Sequence, residues 1–231
     1  MTPLAGRLAV VTGASRGIGA AAAAALASAG AQVVRVARSL APGTHAGYRD
    51  LSLDLTEAEQ VERLASTVES EHGVPEIVVS NAGGFLLRPL EDTSPADFEG
   101  QIAVNLRAAF LVARAFLPAM RRAGRGTFIS IGSVADHVGF PENAAYAAGK
   151  YGLRGLHETL VAEFRGSGVR LTLISPGPTD TSVWDPFDPD RRDGFPPRSA
   201  MLRPEDVADA IVFVATRPPR VHLDWLRLGP A

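Results

Sequence analysis

The sequence predicts an α/β fold: one doubly wound domain over residues 1–231, with a mostly parallel seven-stranded sheet and helices on both faces. Two observations carry that expectation. Short β-branched runs alternate along the chain with longer helical stretches, the order that right-handed βαβ units produce. The composition, 46% hydrophobic and 21% charged over 231 residues, is enough for a full core, and no internal repeat or linker divides it.

The elements follow in order. Arg7–Thr12 reads as the first strand, and a glycine loop joins it to an alanine-rich helix over Gly17–Ala29. Gln32–Ala37 is the second strand and Tyr48–Leu53 a short third, followed by a helix over Thr56–His72. Glu76–Ser80 is the fourth strand, Ala96–Arg122 a long helix and Gly126–Ile131 the fifth strand. Ala144–Arg165 is the next helix and Val169–Ile174 the sixth strand. Residues 176–202, rich in Pro, Asp, Arg and aromatics, form a long loop expected to act as a substrate lid. Arg203-Pro-Glu-Asp opens a final helix, with proline and acids placed to suit its free N–H groups, and Val221–Leu228 closes the sheet.

Composition excludes several classes. A formal net charge of −2 gives no general attraction to nucleic acid or to anionic membrane surfaces, so neither is expected as a partner. With no cysteine there is no disulfide, thiolate nucleophile or thiolate metal site, and the histidines at 45, 72, 137, 157 and 222 lack ligand spacing, so no metal is expected. His137 reads as a loop residue, with the substrate cleft as the other place it could face. No secretory signal is visible, and the apolar stretch Ala20–Ala27 is too short to span a membrane; a cytoplasmic location is the default.

Chemistry concentrates at three places. In Thr12-Gly13-Ala-Ser15-Arg16-Gly17-Ile18-Gly19, a strand passes through glycines into a helix, where backbone N–H groups and the helix dipole can hold a pyrophosphate. Its Gly-x-x-x-Gly-x-Gly spacing is also compatible with a tight structural turn. At the end of the second strand no acid stands ready for a ribose 2′-hydroxyl; Arg38, with Arg16, is placed for a 2′-phosphate instead, unless both are surface charges. Asp54 suits an adenine amino group or the cap of the following helix.

The second place is Lys150, the only lysine among twenty-three basic residues. Tyr146 lies four residues before it and so on the same helical face. A guanidinium is wide and never neutral, whereas an ammonium is compact with three rotatable donors. The third is Ser133, at the end of the run from Thr127, where a hydroxyl either polarises a carbonyl or caps a turn. Asn105, an odd residue within an apolar helix, fits a local backbone bond or a site role.

Thr12-Gly-Ala-Ser-Arg-Gly-Ile-Gly19, Asn81-Ala82-Gly83, Asn105, Ser133, Tyr146-x-x-x-Lys150 and Pro176-Gly177 stand in an order that resembles the short-chain dehydrogenase/reductase family over almost the whole chain. The general look is similar to 3-oxoacyl-carrier-protein reductase-like small carbonyl reductases. The resemblance implies an oxidoreductase interconverting a ketone or aldehyde and an alcohol. Tyr146 would transfer the proton, Lys150 lower its pKa and hold the nicotinamide ribose, Ser133 orient the substrate carbonyl, and Asn105 bind a water leading from the lysine to solvent. It further implies cofactor contacts at Gly13, Ser15, Arg16, Gly17, Ile18, Gly19, Arg38, Asp54, Leu55, Asn81, Ala82, Gly83, Tyr146, Lys150, Pro176, Gly177, Thr179 and Thr181. NADP(H) is favoured, with NAD(H) as the alternative. Phe85, Leu86, Phe140, Trp184, Phe187 and Phe195 near the site suggest a partly apolar substrate. A homodimer or homotetramer is expected, the dimer formed through the two long central helices. The rival readings are an NAD-dependent alcohol dehydrogenase and a non-catalytic NADP(H) sensor or scaffold.

Overall fold

A strand whose consecutive residues are apolar can be buried on both faces of a sheet, and the central strands do this. A computed structural model describes residues 2–45 and 47–231. Among them the strands are β1 (Leu8–Thr12), β2 (Gln32–Val36), β3 (Gly43–His45), β4 (Tyr48–Leu51), β5 (Ile77–Ser80), β6 (Gly126–Ile131), β7 (Val169–Pro176) and β8 (Trp225–Leu228). They form one eight-stranded sheet in the order β3-β4-β2-β1-β5-β6-β7-β8. Every pairing is parallel except β3 with β4. The helices are α1 (Gly17–Ser28), α2 (Ala58–His72), α3 (Pro95–Ile102), α4 (Ala108–Ala123), α5 (Ala144–Glu163) and α6 (Pro204–Ala215).

The two sheet faces carry separate cores. Val10, Val34, Val78, Phe128 and Leu171 point to a layer that includes Leu64 of α2 and Phe116 and Met120 of α4. Ala9, Val11, Val33, Val79 and Ile129, one residue out of phase, meet Ala22, Ala23 and Leu26 of α1 and Val207 and Ile211 of α6. The chain leaves β1 first toward β2 and β4, then crosses to β5, so a crevice opens past the carboxyl ends of β1 and β5.

Three departures from the expected elements bear on the site. The eighth strand is the antiparallel edge β3, whose three residues are too few to show any alternation in sequence. The long helix expected over Ala96–Arg122 is two helices joined by a π-helical turn at Ala103–Arg107, ended by Gly124 in the left-handed region at φ 67°. Residues 176–202 are not structureless: they hold short 3₁₀ turns at Ser182–Phe187, Pro189–Arg191 and Arg198–Ala200. By length and hydropathy the run Pro95–Ala123 is long enough to cross a membrane, a property that core helices share, and half of its most apolar stretch is buried inside the fold.

Candidate active site

The glycine loop is packed too closely for side chains. A Cβ on Gly19 would lie 2.2 Å from the Gly13 carbonyl oxygen and 2.5 Å from the Asn81 amide nitrogen, and one on Gly13 would lie 2.9 Å from the Ala82 Cα. Gly13 and Gly17 also sit at φ 65° and 55°, where side chains are strained. The Thr12 hydroxyl ties this loop to β5: it donates to the Val79 carbonyl (3.2 Å) and accepts from the N–H groups of Asn81 (2.9 Å) and Ala82 (3.1 Å). The Asn81 amide donates to the carbonyls of Thr12 (3.0 Å) and Gly13 (3.3 Å). Asn81 therefore fastens the loop with its side chain, a role not foreseen from its position. Arg16 caps α1 without a side-chain bond to the helix, and no acid occupies the first turn, so that positive end suits an anion. Ile18 packs against the α1–α6 core, and Ser15 is exposed beside Arg16.

Arg38 is exposed, its guanidinium 4.0 Å from the Asp54 carboxylate. Asp54 accepts from the Thr56 N–H (2.9 Å) and hydroxyl (2.8 Å), bonds that hold its carboxyl below the usual carboxylate range against a small effect of burial. The helix itself starts later than expected, at Ala58, so Asp54 stabilises the turn before it. Leu55, expected among the cofactor contacts, is 6% exposed and its side chain belongs to the core, which leaves its backbone alone for that purpose.

The four candidate catalytic residues come from three elements. Ser133 follows β6, Tyr146 and Lys150 stand one turn apart on α5, and Asn105 lies in the π turn. The Asn105 amide donates to the Gln101 carbonyl (3.1 Å) and side chain (3.0 Å), while its oxygen accepts from the Gly84 N–H (3.2 Å). Both the local bond and the reach into the site are thus realised. A Cβ on Gly83 would lie 2.9 Å from that oxygen and 3.7 Å from the Lys150 ammonium, so Asn105, Lys150 and Gly83 share one corner. Gly149 permits α5 to come this near, since a Cβ there would meet the Asn105 Cβ at 3.0 Å.

Lys150, 5% exposed, donates to the Ile131 carbonyl (3.0 Å), with its nitrogen 5.7 Å from the centre of the Tyr146 ring. Burial pushes the ammonium down to about 8, against the favourable charge of Asp136. Burial also pushes the Tyr146 phenol up to about 12; the Ser133 hydroxyl opposes the shift and the Asp136 carboxylate adds to it. In the protein by itself, burial therefore moves the phenol upward, opposite to the lowering expected of it.

Asp136 was not singled out in the sequence. It is 0% exposed and its Oδ2 accepts from the Ser133 N–H (3.1 Å) and the Ser175 hydroxyl (2.6 Å). The Ser133 oxygen in turn accepts from the Ala135 N–H (3.1 Å), so Ser133 does cap a short 3₁₀ turn, Val134–Asp136, while standing beside Tyr146. His137 lies against Asp136 at 2.6 Å and packs edge-on to Trp225 rather than lining the cleft.

On the loop side, Pro176 ends β7 and the Gly177 N–H donates to the Leu228 carbonyl (2.7 Å). Thr179 is 6% exposed and its hydroxyl donates to the Gly177 carbonyl (3.0 Å), so this side chain serves its own turn; Thr181 lies nearer the glycine loop, 3.1 Å from a Cβ placed on Gly17. Phe85 meets Tyr146 edge-on at 5.0 Å, Trp184 tilted at 5.0 Å and Phe187 edge-on at 5.5 Å. Phe195 meets Trp184 at 6.0 Å, whereas Phe140 is 45% exposed. Arg198 binds Asp180 (2.6 Å) and Asp185 (2.7 Å), and Arg192 pairs with Glu142 just before α5.

Known proteins resemble this chain in sequence and in fold. Residues 7–192 match the sequence model of a family described as short chain dehydrogenase. A D-threitol dehydrogenase of Mycolicibacterium smegmatis is 35% identical over 91% of this chain and 86% of its own length. An uncharacterised oxidoreductase of Staphylococcus aureus is 30% identical over the full length of both. Among solved structures, a metagenomic short-chain oxidoreductase in complex with NADP superposes with a TM-score of 0.82 at 34% identity over 99% of each chain. An alcohol dehydrogenase of the archaeon Thermococcus sibiricus, complexed with 5-hydroxy-NADP, gives 0.84 at 29% identity over 97% of each. On the family match, the relatives and the shared fold, the chain belongs to the short-chain dehydrogenase/reductase family of oxidoreductases.

Proposed function

We propose that the protein is an NADP(H)-dependent oxidoreductase that interconverts a ketone or aldehyde and an alcohol. The observation that carries the reading is the meeting of Ser133, Tyr146 and Lys150 at the carboxyl edge of β6, beside the crevice that the glycine loop closes. The uncapped start of α1 and the exposed Arg16 and Arg38 form the donor set that a dinucleotide with a 2′-phosphate requires. Two solved relatives holding NADP or its 5-hydroxy form support the same cofactor, with NAD(H) as the weaker alternative.

Bound there, the nicotinamide supplies or accepts the hydride. Tyr146 then moves the proton: its phenol protonates the oxygen of the nascent alkoxide, or takes the proton back in the reverse direction. Ser133 donates to the same oxygen and orients the carbonyl. Lys150 holds the ribose hydroxyls with its free donors and supports the phenolate once it forms, and Asn105 links that corner to solvent. The backbone of Gly83, Pro176 and Gly177, with Thr181, lines the cofactor's path.

Residues 176–202 serve as the lid: Arg198 braces it internally through Asp180 and Asp185, and Arg192 ties it to Glu142 just before α5. The aromatic wall of Phe85, Trp184 and Phe187 beside Tyr146 favours a partly apolar carbonyl over a small polyol. We place the protein in the cytoplasm as a homodimer or homotetramer without nucleic-acid or membrane partners; exposed Phe110 on α4 and Tyr151 on α5 are the apolar residues a dimer would cover. The test is nicotinamide absorbance with NADPH and with NADH against benzil, menadione and acetoacetyl-coenzyme A. Turnover with NADPH on an apolar carbonyl is expected. Tight NADPH binding with no turnover of any of the three would favour the sensor reading.

A further inference from the structure

We propose that Asp136 is a positioning residue of this reaction: a buried carboxylate that fixes Ser133 against β7 and β8, next to Tyr146 and Lys150. The proposal rests on the roles given to those three residues above. Its geometry is independent of them. One oxygen of Asp136 takes the Ser133 N–H and the Ser175 hydroxyl, and the other faces His137 at 2.6 Å. Ser175 accepts from the Trp225 indole at 2.9 Å, so the chain of bonds runs from Ser133 through Asp136 and Ser175 to β8. Gly132 leaves the space the carboxylate fills: a Cβ there would lie 2.2 Å from Asp136 Oδ2 and 3.0 Å from the Ser175 oxygen.

A carboxylate with no solvent exposure needs a partner or a purpose, because desolvating a charge is costly. The hydrogen bonds satisfy it, and the charge then acts on its neighbours. From α5 it faces Tyr146 and Lys150, and on its own turn His137. Beyond Ser175, Arg154 of α5 and Arg227 of β8 stack on the Trp225 ring at 4.3 and 5.1 Å. The negative charge keeps the Tyr146 proton in place until an alkoxide demands it, and it offsets part of the burial that would discharge Lys150. No proton has to reach Asp136 for this, and no bond to it forms or breaks.

Asp136→Asn separates charge from hydrogen bonding. The amide oxygen still accepts from Ser133 and Ser175, and the amide nitrogen can donate to a neutral His137. Loss of the anion lowers the pKa of both Tyr146 and Lys150, so the kcat/KM profile moves to lower pH in either reaction direction, by on the order of one pH unit. The assay uses whichever of benzil, menadione and acetoacetyl-coenzyme A turns over fastest, with Tyr146→Phe and Ser175→Ala alongside. Ser175→Ala keeps the charge and is expected to lower kcat without moving the profile. Asp136→Gly removes the carboxylate with its bulk and is expected to give the same shift as Asp136→Asn, at lower kcat. Reduced activity without a shift in both Asp136 variants, while Tyr146→Phe is inactive, overturns the proposal and leaves Asp136 a structural residue. A fully active Tyr146→Phe instead overturns the reading of Tyr146 itself.

Discussion

Lys150 is held in a place that opposes its charge, and replacing it should make the protein more stable while removing its activity. Burial takes the ammonium from its ordinary 10.5 to about 8, which corresponds to roughly 3 kcal/mol of cost in the folded state. Lys150→Met keeps an unbranched chain of similar reach in the same slot. It gives up the bond to the Ile131 carbonyl, worth about 1 kcal/mol. The net gain is on the order of 1–2 kcal/mol, or a rise of roughly 2–8 °C in Tm for a chain of this size. The pH dependence follows from the direction of the shift. Below about 8 both folded and unfolded lysine are charged and the parent bears the full cost; between about 8 and 10.5 the folded lysine discharges first and the parent recovers stability. Urea unfolding of the cofactor-free protein at pH 7 and pH 10 measures this. The Met variant should be the more stable at pH 7, with most of the gap closed at pH 10. A Met variant less stable than the parent at pH 7, or a gap independent of pH, would refute the reasoning.

Further outcomes follow from the same geometry. Lys150→Arg should lose activity almost as completely as Lys150→Ala, because the broad guanidinium has no room between Gly83 and the Ile131 carbonyl; steady-state kcat decides it. Arg38→Ala should weaken NADPH about tenfold or more and leave NADH affinity unchanged, as read by fluorescence titration; an equal change in both removes the 2′-phosphate assignment. Gly19→Ala forces a methyl to within 2.2 Å of the Gly13 carbonyl and should abolish cofactor binding and lower Tm, measured by titration and thermal melting.

The central sheet was legible because its strands are buried on both faces and read as unbroken apolar runs. Edge strand β3 was not, since a three-residue strand carries no period. The π turn escaped notice because the apolar periodicity of α3 and α4 runs straight through it, although Asn105 was itself conspicuous there. The shared helix face of Tyr146 and Lys150 and the strand-end place of Ser133 are local facts, whereas their meeting was legible only through the resemblance to the family. Asp136 depended on tertiary placement: one acid in a loop reads as a solvated charge. The Ser-x-x-Asp spacing of a capping box was the only sign of it. Thr179 shows the converse, a hydroxyl in the right segment that folding commits to its own turn.

The central claim is that Tyr146 moves the proton for a hydride transfer, and Tyr146→Phe tests it most directly because it deletes one oxygen and keeps the ring under Phe85. With NADPH and the best of the three carbonyls, turnover should fall by several orders of magnitude while NADPH affinity stays within a few fold. Turnover near the parent's would contradict the account.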